Sequence, residues 1–191
     1  MKRLIVIFLS NLFLFSPALA MTVEEAYRAI PHKQTTFDPL SVRMNKEQAN
    51  FLEGFFKLVD LAVVERVQTL IRFQTDGGRG VPFQHYQVQI NNLLFQFRAM
   101  RVPTRQLENI HKLVIEAIEE QRGYFEMWHE AIDQGKPFKF KLTDSGPRHP
   151  LITSSHKKLI QSYNQLMRLF PKENQHNRQA FFDHLCALDF I

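Results

Sequence analysis

From Asn45 to Leu188 the apolar residues recur at intervals of three and four, and proline or glycine interrupts that rhythm between successive runs. A period near 3.6 gathers such residues on one side of a helix, whereas a half-buried strand needs a period of two. Only Phe138, Phe140 and Leu142, set against Lys139 and Lys141, show the strand rhythm. The chain is therefore expected to be all-α, an up-down four-helix bundle with additional short N-terminal and C-terminal helices.

Local chemistry sets the expected boundaries. Thr22 and Glu25 form a capping box for a short leading helix that Pro31 stops. Asn45 with Gln48 caps a first long helix reaching Gln74, with Leu52, Phe55, Phe56, Val59, Val63 and Val67 on one face. Gly77, Gly78 and Gly80 cannot carry it further. Helices over 82–101, 104–134, 153–170 and 175–188 follow, punctuated by Pro103, Gly135 and Pro171. Most of the eighteen phenylalanines sit at helical spacing, which assigns them to the core.

The N-terminus carries a different pattern. Lys2 and Arg3 precede an apolar run from Leu4 to Phe15, then Pro17 and Ala18-Leu19-Ala20, the layout of a cleaved secretory signal. The run is interrupted by Ser10 and Asn11 and is shorter than the roughly 20 residues that span a bilayer. This divides the chain into a signal peptide (1–20), a short helix and strap (21–44) and a helical bundle domain (45–191). The expected location is periplasmic or secreted, with no transmembrane anchor after cleavage. Losing Lys2 and Arg3 lowers the formal charge from +5 to +3, too little for the basic footprint of a nucleic-acid binder. Cys186 is the only cysteine, so no internal disulfide forms, and burial is favoured over an intermolecular one.

Three groups of polar residues are candidate sites. Glu-x-x-His occurs at Glu108/His111, Glu126/His129 and Glu173/His176, and such pairs put a carboxylate and an imidazole on one side of a helix, where both can reach a cation; the first and last are the metal candidates. Alternating helix directions would bring these two pairs to the same end of a bundle. A non-covalent haem would need inward-facing ligands, for which His111 and His129 are placed with Met100 and Met167 opposite. The second group is the polar strap, where Tyr27 and Phe37 are the anchors and His32 and Asp38 the groups facing a cleft. The third is Arg122, Glu126, Trp128 and His129, where a lone tryptophan beside ionisable groups can line a ligand pocket.

Nucleophile, zinc-protease and dinucleotide signatures are all missing from the sequence. The favoured expectation is an exported, non-catalytic bundle that needs no cofactor and binds a protein partner or small ligand. One alternative is a metal or haem carrier using the Glu-x-x-His pairs. The other is a hydrolase or lyase with Glu126 and His129 as its acid/base pair.

Overall fold

In the computed structural model, which describes residues 35–75, 83–136 and 149–189, Asn45 and Gln48 satisfy one another as the capping box requires. The Gln48 N–H donates to Asn45 Oδ1 at 2.9 Å and the Asn45 N–H to Gln48 Oε1 at 3.3 Å. They start α1, Lys46–Thr75. Then come α2, Phe83–Ala99, and α3, Arg105–Asp133, whose first turn is capped by the Thr104 hydroxyl. α3 stops where Gly135 adopts φ +63°, a left-handed conformation that glycine takes without strain.

The fourth helix, α4, runs Pro150–Leu169 and begins three residues before its expected start. Proline at the first helical position has its ring angle already set and no N–H to waste, and His149 Nδ1 accepts from the Leu151 N–H at 3.2 Å. Asn174 caps α5, Gln175–Leu188. The leader, the Thr22 helix, Tyr27, His32, the glycine turn and the Lys139/Lys141 segment lie outside the described residues.

Among the described residues all regular structure is helical. Each helix packs on the next and α5 returns to α1, closing a ring of five, with the α3–α4 contact the most extensive. Gly123 allows that closeness, because a Cβ there would meet Leu151 of α4 at 3.4 Å. The ring encloses one core whose largest buried side chains include Phe55, Phe56, Phe97, Tyr124, Phe125 and Phe181. No helix among the described residues is long and apolar enough to cross a membrane.

The C-terminal helix α5 is a full wall of this ring and is a focus of its buried polar contacts. Arg66 of α1 donates to the Ala187 carbonyl at 2.7 Å, and Gln121 of α3 donates to the Leu188 carbonyl at 2.8 Å. These are last-turn carbonyls that the helix itself leaves unsatisfied. Burial pushes the Arg66 guanidinium down to about 10, which still leaves it charged at neutral pH. His184 stacks on Phe56 with centroids 4.7 Å apart and meets Asp60 Oδ1 at 2.5 Å through Nδ1.

The segment before α1 lies along α5, and side chains of α5 and of the turn before it hold its backbone. Asp183 accepts from the Thr35 N–H at 2.8 Å, Asn177 both accepts from and donates to the Asp38 backbone, and Glu173 accepts from the Arg43 N–H at 2.9 Å. Phe37 inserts its ring against Phe56 and Phe181.

Two buried histidines tie this fold to pH. Burial pushes both His111 and His149 below the ordinary imidazole range. The unfolded chain then takes up protons that the folded chain refuses. Stability is full above the ordinary value of about 6.5 and is lost as the pH falls through the lower, folded values. Melting temperature is expected to drop by several degrees between about pH 8 and about pH 5, a range dominated by histidine. A His111→Gln, His149→Asn double variant should show a shallower drop. Equal slopes for the two proteins would remove the two histidines as the cause.

Candidate functional site

Two helical stripes of identical spacing face each other between α4 and α5. His156, Leu159, Ile160 and Tyr163 fall at i, i+3, i+4 and i+7, and so do Phe182, Leu185, Cys186 and Asp189. His156 meets Asp189 at one end and Tyr163 meets Phe182 at the other, so these two helices run antiparallel. Together the eight residues line a groove of about 220 Å3.

Leu159 and Leu185, each 2% exposed, form its floor, while Ile160 and Phe182 stand out at its rim. Tyr163 and Phe182 meet edge to face, centroids 5.6 Å apart, and close one end. At the other end His156 Nδ1 lies 2.5 Å from Asp189 Oδ2. Asp189 is fixed in turn as the last residue of α5, its N–H donating to the Cys186 carbonyl.

Cys186 lines the wall half-buried, where nearly full burial was expected. Burial first, then the carboxylates of Asp189 and Asp183, push its thiol up. At neutral pH the thiol stays protonated and is a weak nucleophile. The groove is therefore an apolar slot with a hydrogen-bonding end, suited to holding a molecule.

Of the residues singled out from sequence, those among the described residues lie outside this groove, Cys186 apart, and most have structural partners. Among the described residues no three His, Cys, Asp or Glu side chains are grouped so as to hold a metal ion. His111 is buried with Nε2 at 2.8 Å from the Phe97 carbonyl and with the rings of Phe51, Phe55 and Phe97 about it. Glu108 is exposed on the same helix. Glu173 is buried and accepts from the N–H groups of Arg43 and Asn174, while His176 Nε2 lies 2.9 Å from the Thr36 carbonyl. Glu173 and His176 thus hold the N-terminal segment.

Asp38 forms a local turn, accepting from the Leu40 N–H at 2.9 Å. Hydrogen bonds from Ser41 and then Leu40 hold its carboxyl below the usual range. On α3, Arg122 donates to Asn91 at 2.7 Å and pairs with Glu126 at 3.5 Å. His129 reaches Asp133 at 3.4 Å and lies against the Phe83 ring, centroids 4.6 Å apart. Trp128 packs against the core, stacked on Phe125 and edge-on to Tyr124. Met100 and Met167, considered as haem ligands, also pack partly buried against the core.

Sequence reasoning noted Cys186 but did not assemble the groove. His156 and Asp189 are 33 positions apart and meet only through helix packing. The i, i+3 spacing of Cys186 and Asp189, on one side of α5, was the available signal. No protein-family model matches this chain, and comparisons with curated proteins and with solved structures find no match.

Proposed function

We propose that this protein is an exported, non-catalytic helical bundle whose α4–α5 groove binds a small neutral aromatic molecule carrying a hydrogen-bond donor. The observation that carries this reading is the combination, in one slot, of an apolar floor and aromatic end with the His156–Asp189 pair opposite. Ligand sites are mostly apolar, with a few placed polar groups that fix orientation. A cavity of about 150 Å3 with an apolar lining holds benzene, so one of about 220 Å3 suits a ring system somewhat larger. Among the described residues no lysine or arginine lines the groove, and the Asp189 carboxylate disfavours an anion while accepting from an N–H or O–H donor.

Export is supported by the leader's charged, apolar and small-residue regions. The up-down arrangement, extended to five helices, is supported by contacts that gather alternate helix ends. His111 near the start of α3 meets Phe97 near the end of α2, and Glu173 between α4 and α5 meets Arg43 just before α1.

Indole is the probe, and Cys186 is the reporter because no other thiol competes with it. Indole is expected to slow alkylation of Cys186 by iodoacetamide in a saturable way. Ile160→Glu places a charge at an exposed rim position and is expected to abolish the protection while the helical circular dichroism spectrum is kept. An alkylation rate indifferent to indole in the folded wild type would overturn the reading.

A further inference from the structure

A second concavity, between the start of α3 and the end of α4, has the opposite electrostatic character. It measures about 550 Å3, within the range of small-molecule sites, and Arg105 and Arg168 face it from the two helices. Among the described residues no aspartate or glutamate lines it. Asn109 Nδ2 donates to Gln165 Oε1 across it at 2.8 Å, which ties the two helices together beneath the arginines. Ile110 and Leu169 add an apolar floor.

The lack of a carboxylate partner distinguishes those arginines from Arg98 and Arg122. Arg98 pairs with Glu119 and Arg122 with Glu126. Arg105 and Arg168 form no ion pair among the described residues. Two guanidinium forks therefore border one cleft with their donors uncommitted to protein carboxylates. Guanidinium matches the paired oxygens of a carboxylate or phosphate, and two forks on opposite walls match two such groups on one molecule.

We propose that the α3–α4 cleft binds a small molecule bearing two oxyanionic groups, one taken by Arg105 and the other by Arg168. The Gln106 amide at the same wall supplies a further donor. This site shares no residue with the α4–α5 groove and stands or falls separately from it. Because both arginines are exposed, binding weakens as salt rises.

Citrate, pyrophosphate and orthophosphate are the probes, titrated into the mature chain by calorimetry and followed at the arginine Nε–Hε resonances. Citrate or pyrophosphate is expected to bind with shifts at Arg105 and Arg168, and more tightly than orthophosphate. An Arg105→Gln, Arg168→Gln double variant should lose at least about tenfold in affinity, since each removes a charge-assisted contact. Lys57→Gln, on α1, should bind as the wild type does. The proposal is overturned if neither citrate nor pyrophosphate shifts those resonances, if the double variant binds unchanged, or if orthophosphate binds as tightly.

Discussion

A Phe56→Ala variant is expected to lose about 3–5 kcal/mol of stability, the cost of emptying a fully packed aromatic site. Phe56 is 2% exposed and stands where three parts of the chain meet. Its ring touches Phe37 of the N-terminal segment, Phe55 beside it on α1, and Phe181 and His184 of α5. Truncation removes the transfer free energy of the ring and leaves a void that these side chains refill only in part. The loss appears as a lower urea midpoint with an unchanged slope, because the surface exposed on unfolding is nearly the same. A loss below about 1 kcal/mol would show that the α1–α5 seam does not carry the fold.

Glu173→Ala is the second large effect, about 2–4 kcal/mol, for a different reason. The carboxylate is 6% exposed and accepts from the Arg43 and Asn174 N–H groups at 2.9 Å, and from the Asn174 and Asn177 amides at 3.0 and 3.4 Å. Removing it strands several part-buried donors at once, which costs more than the bonds contributed. The Arg43 amide should then exchange with solvent faster than the wild type, and the neighbouring Asp38 amide with it. The loss should be the same with and without EDTA. A chelator-dependent loss would return Glu173 to the metal-ligand role that its spacing from His176 invites.

The helices were legible in the sequence because their stops are local chemistry. Asn45, Thr104 and Gly135 act through atoms within a few residues, so local sequence places them, while the start at Pro150 was missed by three residues. The role of α5 was not legible in the same way. Asn177, Asp183 and His184 carry no sequence signal that sets them apart, yet each is buried. Their partners are Asp38, Thr35 and Asp60, more than 120 positions away, and no local rule anticipates such pairings. Tertiary packing also hid the groove, whose two stripes are ordinary amphipathic faces until the helices set them opposite one another. The Glu-x-x-His pairs showed the converse: spacing put the side chains on one helical side, and the nearest available carbonyls and amides claimed them first.

The closure of α1 by α5 also governs the order in which the chain can be assembled. The α3–α4 pair forms from neighbours in sequence, while the Phe56 face of α1 finds its lid only after residue 181 has been synthesised. A nascent or truncated chain lacking its last fourteen residues would hold that oily flank open throughout its lifetime. Such a fragment is a natural client for a holdase chaperone and a ready seed for aggregation.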